Sequence, residues 1–145
     1  MALSVEQKDG ILRFKYFSES IYSLKEKEIF VFGSNFCGVH GAGAAKIAKD
    51  YFKAVWGVSE GFTGQCYAIP TKDLEIKTLP LEVIQKHVDR FVDWTYIRKD
   101  LTFLVTAIGT GLAGYSDHEM AVMFKYANSS NCMFDIEWKP FSSPP

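Results

Sequence analysis

The chain has 145 residues, of which 48% are hydrophobic and 15% aromatic, and a formal net charge of −1 at pH 7. That is apolar material for one core and too little length for two ordinary domains, so a single domain over 1–145 is expected, with 1–10 and 141–145 as peripheral tails. The near-neutral balance argues against a globally basic polyanion binder and no window reaches the apolar length of a bilayer span, so neither a DNA or RNA polymer nor a membrane is expected as a partner.

Three cysteines, Cys37, Cys66 and Cys132, are widely spaced, with no CxxC pair and no histidine at zinc spacing. Reduced thiols, no metal and a cytoplasmic location follow as expectations. The opening MALSVEQKDG has no apolar stretch behind a basic one, as a secretory leader would.

Along the chain, Leu12-Arg-Phe-Lys-Tyr16 alternates as a half-buried strand does. Glu28-Ile-Phe-Val-Phe32 is a short continuous apolar run, which suits a strand buried on both faces. The run enters VFGSNFCGVHGAGAAK, where Gly33, Gly38, Gly41 and Gly43 crowd a few positions. Glycine is costly in ordered structure, so such density means tight backbone demands or an object lying against the main chain. From about Ala42 a helix is expected, with Ala44, Ala45, Ile47, Ala48, Tyr51 and Phe52 as its apolar stripe.

Gln65-Cys-Tyr-Ala-Ile69 reads as a second buried strand stopped by Pro70. Between Pro80 and Arg98 the positions Val83, Ile84, His87, Val88, Phe91, Val92 and Trp94 fit a helix, with Pro80 near the first turn. Leu101-Thr-Phe-Leu-Val-Thr-Ala-Ile108 is the strongest strand pattern and runs into a second glycine loop, Gly109-Thr-Gly-Leu-Ala-Gly-Tyr115. Ser116 or Asp117 then caps a helix expected through Tyr126, with Glu119 placed for a capping box if Ser116 is the cap. Met133-Phe-Asp-Ile-Glu-Trp138 alternates as a last half-exposed strand.

Strands alternating with helices imply a largely parallel or mixed sheet covered on both faces, whose ligands sit at the carboxyl ends of strands. Both glycine loops lie there, and two such loops facing one cleft suit a diphosphate. Neither carries GxxxxGK[ST] or a full GxGxxG, which argues against a P-loop ATPase or a simple dinucleotide dehydrogenase. No cofactor is expected.

Ile29-Phe-Val-Phe-Gly-Ser-Asn35, followed by glycines and an alanine-rich helix, resembles the first signature of macro domains, a strand ending in an NAAN-like turn. Ile108-Gly-Thr-Gly-Leu-Ala-Gly-Tyr115 is similar to that family's IsTGvfGyp loop. The resemblance implies a three-layer α/β/α sandwich with a mixed, largely parallel sheet. It also implies binding of ADP-ribose, a cyclic or phosphorylated derivative of it, or an ADP-ribosylated target, as in compact viral or bacterial members. By the same match Gly33, Ser34, Asn35, Gly41, Ala42 and Gly43 form the first wall, with Asn35 at the distal ribose. Ile108, Gly109, Thr110, Gly111, Leu112, Ala113 and Gly114 wrap the diphosphate, with Tyr115 flanking the ribose. The chain departs from the family in its shortened segment Cys37-Gly-Val-His-Gly-Ala-Gly43 and in holding alanines, Ala44 and Ala45, near the place of the acid that hydrolytic members carry.

If the resemblance extends to catalysis, the reaction is hydrolysis at the distal ribose, with Asn35 positioning and His40 as acid or base. His40 has an equally simple role in holding the turn, and Asn35 in an Asx-turn. A sequestering or reader module, and an interaction domain with vestigial loops, are the alternatives. Lys72 and Asp73 at a strand end either meet phosphate or form a solvated turn. Trp56, Phe62 and Tyr67 either stack on adenine or fill the core. Cys37 reads as packing, and Asp117 as a cap rather than the partner of His118.

Overall fold

The computed structural model describes residues 14–142. The expected tail over 1–10, the residues Leu12 and Arg13 of the first expected strand, and 143–145 lie outside the described residues. Six strands form one sheet in the order β1-β6-β5-β2-β4-β3: β1 Lys15–Phe17, β2 Glu28–Asn35, β3 Gly61–Thr63, β4 Cys66–Lys72, β5 Thr102–Val105 and β6 Cys132–Asp135. All neighbours run parallel except β3, which lies antiparallel on β4. Among the described residues four helices accompany them, α1 Gly43–Phe52, α2 Leu81–Ile97, α3 Asp117–Ala121 and α4 Lys139–Ser142, with 3-10 turns at Val122–Phe124 and Ile136–Trp138.

Strands β2 and β4 are apolar on consecutive residues because each feeds two cores. From β2, Ile29 and Val31 join Tyr67, Ile69, Phe103 and Val105 beneath Ile84, Val88 and Phe91 of α2. The alternate residues Phe30 and Phe32 join Cys66 and Ala68 beneath Ala48 and Phe52 of α1. This period-two division gives the three-layer α/β/α sandwich with a mixed, largely parallel sheet. Phe91 is fully buried and stacks edge-on to Phe103 at 5.3 Å, so truncating it to alanine costs roughly 3–5 kcal/mol.

Several elements differ from the sequence expectation. The second buried strand does not stop before Pro70: β4 continues to Lys72, with Pro70 paired to Ser34. β3 pairs no further than Ala68, and the chain returns to that edge only at Thr78 and Leu79, opposite Lys72 and Thr71, so among the described residues no strand lies opposite Pro70 there and its missing N–H is tolerated. On α1 the stripe holds, with Ala48 and Phe52 buried and Ala44, Ala45 and Ile47 packed partly buried against the same core, except that Tyr51 is exposed against Tyr22. The helix expected through Tyr126 is α-helical only to Ala121, then tightens to a 3-10 turn. Ala121, Phe124 and Ala127 are all buried, as are Met120 and Met123, and a spacing of three matches the 3-10 period. The last strand ends at Asp135, and the turn after it carries Trp138 into the core, where its Nε1–H donates to Asp117 at 3.0 Å.

Candidate functional site

A cavity of about 400 Å³ opens at the carboxyl ends of β2, β4 and β5. Its floor is Gly33, Ser34 and Asn35 from β2 with Thr71 and Lys72 from β4, and its walls are the segment 41–45 and the loop after β5. Register sets the floor, since Asn35 is paired with Lys72 after an irregularity between Ser34 and Asn35.

The first loop is folded by its own polar groups. Asn35 Oδ1 accepts from Val39 N–H at 3.0 Å while Nδ2 donates to Val39 O at 2.9 Å. The amide therefore closes the loop from both ends, and only its second proton and second lone pair remain for a ligand. Gly38 has φ 68, and a Cβ there would lie 2.3 Å from the carbonyl carbon of Gly57. Its bareness serves a backbone crossing, sealed by Gly57 N–H donating to Gly38 O at 2.8 Å. His40 is 0% exposed, its Nε2 is 3.1 Å from Val55 O, and its ring packs edge-on to Phe32.

This loop delivers the chain to the start of α1 at the cavity. The N-cap is Ala42, which has no side-chain oxygen, and the first turn has no acid. The first helical bond runs from Lys46 N–H to Ala42 O at 3.2 Å. The N–H groups of Gly43, Ala44 and Ala45 therefore have no acceptor among the described residues, and they carry the positive end of the helix dipole.

The second loop faces them. Gly109, at φ 79, turns the chain, and a Cβ there would meet Met120 Sδ at 2.7 Å. Gly114 N–H donates to Gly111 O at 3.0 Å and Tyr115 N–H to Gly109 O at 2.9 Å, which curls the loop. Thr78 Oγ1 ties it to the neighbouring turn by donating to Ala113 O at 2.9 Å. The N–H groups of residues 109–113 again find no acceptor among the described residues. A Cβ on Gly111 would meet nothing within 4 Å and its φ is ordinary, so neither conformation nor packing demands glycine there. Among the described residues Lys72 is the one charged residue lining this cavity.

A second cavity of about 410 Å³ lies across Gly43 and Ala44 and shares them and Thr106 with the first. It is lined by residues 17–21, by Phe30 and Ile47, and by Asp135, Ile136 and Glu137. Glu19, Asp135 and Glu137 give it a carboxylate side, and Asp135 Oδ1 is engaged by Glu137 N–H at 3.0 Å.

Of the residues singled out from sequence, the structure gathers Gly33, Ser34, Asn35, Gly41, Ala42, Gly43, Ile108, Gly109, Gly111, Leu112 and Ala113 around the first cavity. Four are placed elsewhere. His40 does not line the cavity, because its ring is buried beneath the loop. Thr110 turns its hydroxyl back to Ala107 O at 2.7 Å. Gly114 lies where the loop returns to the core, and Tyr115 donates its hydroxyl to Leu79 O at 2.6 Å. Ser34 contributes backbone, since its hydroxyl donates to Ser59 O at 2.8 Å. Asp73 is a turn residue accepting from Glu75 and Lys77 N–H, and Cys37 donates to Leu74 O at 2.9 Å. Asp117 does not cap α3; Ser116 does, in a reciprocal capping box with Glu119. Phe62 and Tyr67 pack on each other in the main core, while Trp56 lies under the Lys49 ammonium, outside both cavities. Val39, Thr71, Ile76 and Thr106 line the first cavity without a motif to mark them.

Neither a protein-family profile nor a curated protein matches the sequence. Among solved structures, the macrodomain of Mycobacterium tuberculosis DarG is similar with a TM-score of 0.64 at 18% identity, over 84% of this chain and 97% of that one. Thermosipho africanus DarTG in complex with ADP-ribose gives 0.56 at 16% identity, over 81% of this chain, which spans 43% of that one. A protein of unknown function from Bacteroides thetaiotaomicron gives 0.55 at 12% identity, over 86% and 98% of the two chains. The chain has the macrodomain fold.

Proposed function

We propose that the protein binds ADP-ribose or a closely related nucleotide, with the diphosphate between the start of α1 and the loop 109–113. The observation that carries this reading is the pair of facing N–H arrays, Gly43 to Ala45 and Gly109 to Ala113, that no group among the described residues satisfies. Two phosphates bridging them would accept several charge-assisted hydrogen bonds, each contributing about 1.5–3 kcal/mol. The likeness to a DarTG structure that holds ADP-ribose supports the same ligand class.

The two cavities divide the rest of the molecule. The second, apolar on Phe30, Ile47 and Ile136 and carboxylate-bearing on Glu19, takes the base: ring faces pack on the apolar side and exocyclic amino protons meet the acid. The far end of the first, with Asn35 and Lys72, takes the second ribose. Among the described residues the first cavity has neither carboxylate nor imidazole on its wall, which favours a module that holds the nucleotide, free or attached to a target, over a hydrolase using general-base chemistry.

Titration calorimetry with ADP-ribose, ADP, AMP and NAD, with chromatography of the recovered ligand, tests this. The expected result is micromolar or tighter binding of ADP-ribose, recovered intact. Absence of heat with all four ligands refutes nucleotide binding, and a chemically altered ligand refutes the holding role.

A further inference from the structure

We infer that Ile76, on the turn after β4, is a ligand-contacting residue that packs on the carbon face of the sugar beyond the diphosphate; this rests on the nucleotide reading above. Ile76 has φ 61, in the left-handed region that β-branched side chains tolerate worst. The other non-glycine residues in that region, Lys27 and Lys53, are unbranched at Cβ, and Lys53 caps the end of α1. An exposed turn in this conformation is met without strain by glycine or asparagine.

The conformation is imposed from several sides. Ile76 N–H donates to Asp73 O at 3.1 Å, Asp73 N–H to Lys77 O at 2.8 Å, and Asp73 Oδ1 accepts from both Glu75 and Lys77 N–H. Thr78 pins the base of the turn to the second glycine loop. A well-fixed turn thus holds a strained isoleucine that is 46% exposed, at the wall of the cavity. Strain and apolar exposure at one residue have a common explanation when an occupant covers it.

Its surroundings specify the occupant. Val39 and Leu112, the latter 81% exposed, line the same cavity and make its rim apolar, above the polar floor of Asn35 and Lys72. A ribose has this division, with hydroxyls on its edge and C–H groups on its face. With the phosphates held at α1 and the base beyond Gly43 and Ala44, the distal ribose is the part of the ligand left for this end.

The test compares wild type, Ile76→Asn and Ile76→Gly in calorimetric titrations with ADP and with ADP-ribose, beside thermal melts. Both variants are expected to melt within about 5 °C of wild type, since strain relief offsets the lost side chain. Both are expected to bind ADP as wild type does and ADP-ribose about tenfold more weakly. Wild-type ADP-ribose affinity in both variants overturns the inference and leaves the nucleotide reading standing. Equal losses for ADP and ADP-ribose, or a melt lowered by much more than 5 °C in both variants, also overturn it, because the side chain then serves the turn. If the wild-type protein binds neither ligand, the nucleotide reading and this inference fall together.

Discussion

Gly111 and Gly38 separate glycines that serve a ligand from glycines that serve the chain. At Gly111 an added Cβ meets no atom within 4 Å and φ is unstrained, so Gly111→Val should leave stability unchanged or raise it by about 0.4–1 kcal/mol through the unfolded state. Its effect falls on the ligand. Branched carbon between the phosphates and the N–H groups of residues 110–112 would break two charge-assisted bonds, about 3–6 kcal/mol, which is roughly 10²–10⁴-fold in Kd. At Gly38, by contrast, a Cβ would stand 2.3 Å from Gly57 carbon at φ 68. Gly38→Ala should cost the fold roughly 2–5 kcal/mol from overpacking and left-handed backbone together. Calorimetry with ADP-ribose and urea denaturation on the three proteins give both numbers. Gly111→Val with wild-type affinity and wild-type stability would refute the argument, since the second loop would then touch no ligand.

Three further outcomes follow from the same geometry. Lys72→Gln should weaken ADP-ribose about tenfold and flatten the salt dependence of Kd, measured between low and high ionic strength, because it removes a cation that lines the first cavity. Burial pushes the Cys66 and Cys132 thiols up to about 12, so in the native protein iodoacetamide at pH 8 should modify Cys37 alone, and all three after unfolding, as counted by intact mass. The Ser116 backbone N–H bonded to Glu119 holds that carboxyl below its ordinary value. A depressed folded pKa means stability present above the unfolded value and lost as pH falls through the folded one. The advantage of wild type over Glu119→Gln in urea should therefore be present at pH 7 and decline as the pH falls below the ordinary carboxylate range; an advantage that persists once the carboxyl is protonated would show that charge is not its source.

The sheet was legible because its inner strands are apolar on both faces: β2 and β4 divide residue by residue between the two cores, and that leaves an unbroken run in the sequence. β3 was not, since Gly61 and Thr63 give it no apolar run and only the neighbouring β4 makes it a strand. Pro70 misled because a proline stops a strand only where its N–H is wanted. Around the site, the glycine loops marked the phosphate region, but glycine density alone could not separate Gly38, which lets two backbones cross, from Gly111, which faces open space. His40 drew notice as an ionisable group among glycines, yet the apolar faces of Phe32 and Trp56 decide its place, and no local pattern reports them. Ile76 left no signal, because its meaning lies in a φ value.

The sheet order also bears on how the chain is made. β1 pairs with β6 alone, Lys15 opposite Met133, so the first described strand finds its partner only near the end of the sequence. Loop closure over that separation is slow compared with the pairing of β2 with β4, which are close in sequence. On a ribosome, β1 waits for this partner until β6 has emerged. Phe17 of β1 and Asp135 of β6 both border the second cavity, so the last pairing to form also completes the compartment assigned to the base. A chain cut before β6 can present both glycine loops and still lack half of the proposed nucleotide site, which makes ligand retention a readout of the β1–β6 pairing.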